Sequence, residues 1–448
     1  MELKTRKMLD KSFSVMGILA IVLMGVSLVI LLGPIFARGF GAFCFRGTVE
    51  HRKLMLEKFG RGDRAKIEAE HAEAVAARRP VYEAIGAFEE ELAAGDSGFH
   101  RTYRSEFGEV KELVKELFGP YPGKLMPVLI RDQYGQTRWD RVQVKLHHIK
   151  FIEEYDYSDS SRMGVKVLRA REEYFRGTSL EPLFGLLERD IEAMLRPRVT
   201  FYPRFLFDES YDAHFFGGIW PEFLGTLYLA VGAMIFAIPL GVITAIYLAE
   251  YAGESKFVSL LRTCISSLAG VPSIVFGLFG LAFFINTIHV SESKSVMAGS
   301  LTLALLVLPT IIRASEEAIK AVPRTYKEAA MSLGSSKWRT VVGVVLPAAL
   351  PGILTSIIIS LGRAAGETAP IIFTAAVSVG RPLAIWQTLS QPAPALPWNI
   401  YNLATEHEAV DEIRHVQYGM VLTLVVMVLL MNLTAIILRA RISKKLRG

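Results

Sequence analysis

The segment Glu328-Ala-Ala-Met-Ser-Leu-Gly334, followed twelve residues later by Leu346-Pro347, decides the fold that we assign to this sequence. It lies between two long apolar segments and is flanked by Lys and Arg residues. A charged segment with a glycine hinge cannot lie in the hydrocarbon of a bilayer, because its charges and free backbone groups would have no partners there. We therefore expect residues 324–347 to protrude from a membrane as a helix–turn–helix that docks against another protein.

Six runs without a charged residue indicate membrane spans. They are Ser12–Phe36, Phe223–Ala249, Thr263–Ile288, Val296–Ile312, Thr340–Gly362 and Val416–Leu438. Each is close to or longer than the roughly 17–25 residues that span a bilayer core as a helix. The sequence therefore predicts an all-α polytopic membrane protein with six transmembrane helices. A cleaved signal peptide is the alternative for the first run, but we expect a retained helix because the apolar core is too long.

The basic residues predict the orientation of the spans, because cytoplasmic loops carry an excess of Lys and Arg. The N-terminus, the segment 324–347 and the C-terminal tail are basic and fall on the same side of six successive spans. We therefore predict a cytoplasmic N-terminus with the first helix at 1–36, an extracytoplasmic insert at 37–216, a five-helix core at 217–440 and a basic cytoplasmic tail at 441–448. The net charge of +6 belongs to the membrane part, so it reflects topology and not nucleic-acid binding.

The insert is long enough to fold as a domain of its own. Apolar residues at helical spacing predict helices in Glu50–Leu92, and Gly119-Pro120-Tyr121-Pro122 predicts a break. Alternating apolar and polar residues at Val128–Ile130 and Val142–Ile149 predict strands, so we expect an α+β insert.

Motifs of nucleotide hydrolysis and metal binding are missing from the insert sequence, which contains no Walker-type glycine loop and no His-Glu-x-x-His. His147-His148 have no further ligand at metal-binding spacing, so we expect surface or strand residues and no metal site. The residues of the insert do not reveal its function.

Two ionisable residues fall inside a predicted span that runs from about Gly352 to Ala376. Arg363 and Glu367 are four residues apart, so one helical face would carry both and allow them to pair. Charges inside a membrane cost a few kcal/mol or more, so they indicate function by default. Gly366 and Pro370 allow close backbone approach or an opened helix for a substrate. A purely structural ion pair is the alternative.

Arg313 is a third candidate for a substrate path, because it follows Leu308-Pro309 near the inner end of its own predicted span. The alternative is an arginine that extends to the membrane surface. A guanidinium matches the oxygens of phosphate or carboxylate, so arginines along a path suggest an anionic substrate. Charge alone does not distinguish phosphate from sulfate.

Several motifs resemble those of one transporter family. Residues 324–347 resemble the EAA loop of ABC importer membrane subunits, although Val344 stands where Ile is frequent. The segment Leu361-Gly-Arg-Ala-Ala-Gly-Glu-Thr-Ala-Pro370 resembles the fifth-span signature of PstA-type phosphate permeases. Further similar segments are Gly225-Thr-Leu-Tyr-Leu229, Pro239-Leu-Gly241, Tyr247-Leu-Ala-Glu-Tyr251 and Gly270-Val-Pro-Ser-Ile-Val-Phe-Gly-Leu-Phe-Gly280. The resemblance covers residues 217–440, and the insert is similar only to long forms of the family.

This resemblance implies an ABC importer type I permease fold in the bacterial inner membrane and no enzymatic activity in this chain. It implies a heterodimer with a PstC-like permease, a PstB-like ATPase dimer that binds ATP and Mg, and a periplasmic PstS-like phosphate-binding protein. PhoU- and PhoR-like signalling partners are a further implication, and no cofactor is expected in this chain. The implied substrate path includes Arg313, Arg363 and Glu367. The implied ATPase-coupling residues are Glu328, Ala329, Ala330, Gly334, Leu346 and Pro347.

The coupling loop is expected to act as a lever. Ala329 and Ala330 are small enough to let a short helix seat in a groove of the ATPase. Gly334 is expected to form a turn at which other residues would be strained. Pro347 and Pro351 are expected to stop and restart the chain before the next span.

Three alternatives stay open at this point. Permeases for sulfate, molybdate or phosphonate share the EAA loop. A membrane receptor would use the insert as its sensor, although the short C-terminal tail has no kinase, cyclase or coiled-coil sequence. A secondary transporter would be insensitive to ATP depletion and would lose activity with an uncoupler.

Overall fold

The structure is a computed structural model that describes residues 3–123, 127, 129–156, 165–253, 255–406, 410 and 413–447. The chain forms two compact units, Phe43–Pro203 and Met1–Ala42 with Arg204–Gly448. The first elements are α1 (Leu3–Phe40), β1 (Cys44–Gly47), α2 (Val49–Phe59), α3 (Arg64–Ala77), α4 (Arg79–Ala94), α5 (Ser97–Phe118), α6 (Ile130–Gln133), α7 (Trp139–Lys150), β2 (Phe151–Asp156), β3 (Val165–Ala170), α8 (Arg171–Tyr174), α9 (Glu181–Leu195) and β4 (Arg198–Phe201). The remaining elements are β5 (Ser210–Tyr211), β6 (Phe216–Gly217), α10 (Trp220–Ile246), α11 (Lys256–Leu268), α12 (Ser273–Gly280), α13 (Val296–Lys320), α14 (Arg324–Ser332), α15 (Lys337–Thr340), α16 (Leu346–Gly366), α17 (Ala369–Thr374), α18 (Leu396–Thr405) and α19 (Arg414–Arg447).

The unit Phe43–Pro203 combines helices with two short antiparallel strand pairs, β1 with β4 and β2 with β3. Its helices enclose one apolar core, in which Phe88 contacts Phe107 and Phe175 at ring-centroid distances of 4.8 and 5.5 Å. This architecture is the α+β fold predicted for the insert.

A buried arginine fastens three elements of this unit to one another. The Arg78 guanidinium donates to Glu50 Oε1 at 2.9 Å, to the Phe118 carbonyl at 3.1 Å and to the Met194 carbonyl at 3.0 Å. A buried cation is stable only when its donors have acceptors. Here the acceptors are supplied by α2 and by the ends of α5 and α9.

The helices predicted in Glu50–Leu92 are confirmed as α2, α3 and α4. α5 ends at Phe118, directly before the predicted break Gly119-Pro120-Tyr121-Pro122. The strand predicted at Val128–Ile130 lies in part outside the described residues, at Val128, whereas Ile130 begins α6.

The strand predicted at Val142–Ile149 is wrong, because these residues lie in α7. The buried residues Val142, Leu146 and Ile149 are spaced by four and three positions, which is the period of a helix. Val144 completed the apparent alternation, but it lies on the outer side of the helix and is 38% exposed.

Five helices of the other unit are long and apolar enough to span a membrane: Lys11–Phe40, Trp220–Tyr251, Val296–Lys320, Lys337–Gly366 and Arg414–Lys444. The pair α11 and α12 meets the same test only jointly and is bent by 102° at its break. The single span predicted over Thr263–Ile288 is therefore wrong in its shape. Gly270 and Pro272 lie at the break. The hydropathy of the sequence did not reveal this break, because the run on both sides of it has no charged residue.

The directions of neighbouring helices show that the bent pair crosses the membrane. The backbone of Gly232 approaches Ser300 and that of Gly241 approaches Ile311, so α10 and α13 run parallel. The chain must return between two parallel spans, and in the described residues between them only α11 and α12 with the following π-helical turn are apolar helices. Six crossings result, as predicted.

The span that carries Arg363 ends earlier than predicted. α16 ends at Gly366, Glu367 has an extended backbone with ψ 122°, and α17 begins at Ala369. Pro370 favours a break here, because it has no N–H to donate to the Gly366 carbonyl and its ring crowds that carbonyl.

The interruption predicted at Pro347 and Pro351 is also wrong, because one helix runs from Lys337 to Gly366. A π-helical turn at Val341–Val345 precedes Pro347. It widens the helix next to the Gly343 carbonyl, which has no α-helical donor because Pro347 lacks an N–H. The Leu346 N–H instead donates to the Val341 carbonyl in this turn.

Candidate functional site

The loop between α13 and α16 is built around the expected glycine turn. Gly334 has φ +83°, and its N–H donates to the Met331 carbonyl at 2.9 Å. The Ser335 N–H donates to the Ala330 carbonyl at 3.2 Å, so the end of α14 is closed by a left-handed residue. The Gly334 prediction thus has a geometric basis, since other residues are strained in this conformation.

This loop exposes large apolar side chains. No residue of α14 is buried, and Glu328 and Ala329 lie on its surface. Leu333 is 89% exposed and Trp338 is 63% exposed. Apolar groups that stand out together on a protruding loop mark a protein-binding surface more often than a solvated one.

Two cationic contacts attach the loop to the π-helical turn after α10. The Lys327 ammonium donates to the Glu250 carboxylate, and the Lys337 Nζ lies 4.9 Å from the centre of the Tyr251 ring. The loop is therefore held at a defined position even though its outer face has no covering partner among the described residues.

A continuous helix connects this loop to the charged pair inside the membrane. The helix Lys337–Gly366 includes Leu346 and Pro347 near the loop and Arg363 near its other end. One helix therefore joins the loop to the pair that contains Arg363.

Arg363 and Glu367 are brought together where the helix ends. The Arg363 Nε donates to Glu367 Oε1 at 3.2 Å, and the two side chains are 40% and 20% exposed. Glu367 also lines a cavity of about 10 Å³, enough for about one water molecule, beside Thr226 and Leu303. The pair is therefore accessible and is not sealed in the core.

Arg313 lies on an exposed face of α13. Ser315 Oγ lies 3.3 Å from Ser356 Oγ, and the backbone of Gly352 approaches Ala318, so α13 and α16 are antiparallel. Arg313 then lies level with about residue 358 of α16. With a rise of about 1.5 Å per residue, Arg363 is displaced by about 8 Å along the helix axis. The two arginines are therefore separated along this helix pair and do not share one site.

A buried polar cluster was missed by the sequence reasoning. The Glu222 carboxylate is fully buried, lies 2.9 Å from His214 Nε2 and accepts a bond of 3.2 Å from Asn399 Nδ2. It joins the first turn of α10 to α18. The available signal was the charge of Glu222 directly before the apolar run that begins at Phe223, whereas its partners are distant in sequence.

In the part of the chain that the structure describes, no group of three or more His, Cys, Asp or Glu residues could hold a metal ion. His147 and His148 lie in α7 with ring centroids 6.2 Å apart.

Comparison with known proteins assigns the family. Residues 237–448 match the family model described as binding-protein-dependent transport system inner membrane component. The chain is 37% identical over 233 residues to phosphate transport system permease protein PstA 1 of Mycobacterium tuberculosis, which covers 52% of this chain and 73% of that protein. The chain is a PstA-type ABC transporter permease. It is also 36% identical over 239 residues to the probable ABC transporter permease protein YqgI of Bacillus subtilis, covering 51% of this chain and 80% of that protein.

The solved structure of the MetNI methionine ABC transporter aligns with 50% of this permease and 94% of its own chain, at 17% identity and a TM-score of 0.38. As a member of its family, the permease is a multi-pass, non-catalytic membrane subunit with the type I permease fold. A separate ATPase hydrolyses ATP, and a substrate-binding protein delivers the cargo in such a system.

Proposed function

We propose that this permease carries inorganic phosphate through the inner membrane of a bacterium. The proposal is supported by its similarity to PstA 1 of Mycobacterium tuberculosis, which by name is a phosphate transport permease. The structural observation that carries it is the exposed guanidinium of Arg363 at the end of α16.

The Arg363 side chain has the chemistry needed for an oxyanion. A guanidinium has five N–H donors in a planar fork. Nε donates to Glu367, and in the described part of the chain no other hydrogen bond involves Arg363. The remaining donors match two oxygens of one phosphate. The Glu367 carboxylate, beside them, is positioned to accept a hydrogen bond from the P–OH group of monohydrogen phosphate.

Arg313 provides a second cationic step on the same pair of helices. A path must bind an anion strongly enough to admit it and weakly enough to release it. Two arginines about 8 Å apart along the helix axis bind the anion one at a time. Each therefore binds it more weakly than a joint site of both arginines would, which allows both entry and release.

We propose that the loop with Glu328, Ala329, Ala330 and Gly334 binds a PstB-like ATPase dimer, which in turn binds ATP and Mg²⁺. The exposed Leu333 would fill an apolar pocket on that partner. The exposed faces of α13 and α16 would line the path together with a PstC-like permease, and a PstS-like protein would deliver phosphate. PhoU- and PhoR-like signalling partners are the furthest part of this proposal.

Labelled phosphate uptake tests this function. The permease is co-expressed with its partner subunits in cells that lack their own high-affinity phosphate permease, with an inactive ATPase variant as control. We expect uptake that depends on ATP and that unlabelled sulfate, molybdate and phosphonate do not reduce. Competition by one of these anions would instead assign the permease to that oxyanion. Uptake that survives ATP depletion and stops with an uncoupler would contradict the proposal.

A further inference from the structure

The segment Tyr247-Leu-Ala-Glu-Tyr251 has no part in the proposed substrate path, although it resembles a motif of the family. It forms a π-helical turn directly after α10. The side chain of Glu250 in this turn is only 9% exposed. A buried carboxylate is costly unless a cation or a hydrogen-bond donor reaches it. The partner of Glu250 therefore indicates which segment this turn holds.

The turn itself is fixed to the neighbouring helices. Leu248 is 2% exposed and packs with Val258 of α11 and Ile312 of α13. The Leu248 carbonyl accepts a hydrogen bond of 2.8 Å from Arg262, and the same guanidinium donates to Glu316 Oε1 at 2.9 Å. These contacts join the turn to α11 and α13, so it can serve as a fixed support for another segment.

The cation that reaches Glu250 comes from the loop between α13 and α16. The Lys327 ammonium donates to the Glu250 carboxylate, and the Lys327 side chain is 21% exposed. In the described part of the chain, neither residue has another ion pair. Lys327 lies in α14, directly before Glu328, and no residue of α14 is buried. Because apolar burial holds this short helix only weakly, its orientation depends on the ion pair.

A second contact reaches the same turn from the other side of Gly334. The Lys337 Nζ lies 4.9 Å from the centre of the Tyr251 ring. A cation over the face of an aromatic ring is attracted by the negative charge of that face. Lys327 lies in α14 and Lys337 begins α15, so both helices of the loop are attached to one support. The two attachments restrict how far Gly334, between them, can swing relative to α10.

We propose that Glu250 is a positioning residue for ATPase binding, and that its ion pair with Lys327 orients α14 so that the exposed Leu333 meets that partner. Tyr251 and Lys337 orient α15 in the same way. Removal of Lys327 alone would leave the buried Glu250 carboxylate without its counter-charge, which is worse than removal of both charges. The inference rests on the proposed role of this loop in binding the ATPase, and it does not depend on which anion is transported.

A double-mutant cycle on this ion pair tests the inference. Glu250→Gln, Lys327→Gln and the double variant are each assembled with the second permease subunit in nanodiscs, and the purified ATPase subunit is titrated onto them. Hydrogen exchange of residues 324–332 in the same samples measures how firmly α14 is held. The matched control is Lys320→Gln, because Lys320 is an exposed lysine whose partner, Glu316 at 2.7 Å, lies on the same helix.

We expect Lys327→Gln to weaken ATPase binding by roughly tenfold or more and to accelerate the exchange of α14 several-fold. Glu250→Gln should show a smaller loss, and the double variant should match Glu250→Gln, so that the second substitution rescues Lys327→Gln. Lys320→Gln should behave as the wild type does. Losses that multiply in the double variant, or an unchanged affinity in Lys327→Gln, would overturn the proposal alone. A wild-type permease that does not bind the ATPase would contradict the proposed function and this inference with it.

Discussion

Arg363 Nε donates to Glu367 Oε1 at 3.2 Å across the point where α16 loses its helical conformation. The pair keeps its i, i+4 spacing although Glu367 is already extended. The Glu367 carboxylate lies next to Arg363, and its negative charge weakens the binding of a transported anion to this arginine.

Replacement of Glu367 by Gln tests whether this carboxylate weakens anion binding at Arg363. Without the carboxylate, Arg363 would bind an oxyanion more tightly and release it more slowly. We therefore expect Glu367→Gln to lower the KM for uptake and to lower the maximal rate by several-fold, since stronger ground-state binding does not accelerate a step. Initial uptake rates over a range of phosphate concentrations measure both quantities. An unchanged KM would show that Glu367 does not moderate binding at Arg363.

Substitution of Gly334 tests the turn of the coupling loop. A left-handed conformation costs a non-glycine residue about 1–2 kcal/mol, and more with a branched side chain. We expect Gly334→Val to reduce ATP-driven uptake about tenfold or more, in line with about 1.4 kcal/mol per factor of ten. Gly334→Asp adds a negative charge to the docking surface as well as backbone strain, so it is expected to abolish transport and to leave membrane insertion intact.

Gly343→Val is the matched control, because Gly343 also has open space around it but lies in the helical segment before Pro347. Equal losses of uptake in Gly334→Val and Gly343→Val would argue against a special role of the turn.

Truncation of Leu333 tests the docking surface. Burial of a leucine side chain in an interface contributes about 1.5–3 kcal/mol, so Leu333→Ser should weaken binding of the ATPase subunit at least tenfold. Titration of the purified ATPase onto the permease in nanodiscs gives the affinity. The matched control is Leu168→Ser, which changes a 50% exposed leucine of the unit Phe43–Pro203. Unchanged affinity with Leu333→Ser would remove this side chain from the contact.

Buried His51 makes the stability of the insert depend on pH. Burial, together with the positive charges of Arg138, Arg52 and Arg141, lowers the pKa of the His51 imidazole from 6.5 to about 3. The unfolded chain takes up a proton below about pH 6.5 and the folded chain does not, so stability is full above this pH and falls as the pH decreases towards 3. Between pH 7 and pH 5 we expect a loss of about 2 kcal/mol.

Hydrogen exchange of the insert helices in the full-length chain, corrected for the intrinsic pH effect, measures this loss. His51→Phe should remove it, because phenylalanine keeps an aromatic ring next to Phe45 and Tyr202 and cannot be protonated. The same pH dependence in His51→Phe would assign the effect to other groups.

Features encoded by short stretches could be predicted from the sequence. The apolar runs located the six crossings, and the four-residue spacing of Arg363 and Glu367 indicated their pairing. Gly334 was recognisable as a turn because the glycine follows a short helical segment and the chain then reverses.

Features that depend on tertiary packing were not predictable. Whether Pro347 breaks a helix or is absorbed by a π-helical turn depends on how neighbouring helices hold the backbone. The bend between α11 and α12 lies in an uncharged run, so hydropathy does not reveal it. Glu222 and Asn399 are joined only because α18 folds back onto α10.

The role of Arg363 is tested most directly by labelled phosphate uptake through the assembled transporter with Arg363→Gln. The matched control is Arg381→Gln, which neutralises an exposed arginine outside the candidate path. At equal membrane abundance, we predict that Arg363→Gln loses uptake and that Arg381→Gln keeps it. Uptake by Arg363→Gln at the wild-type rate would contradict the assignment of Arg363 to the phosphate path.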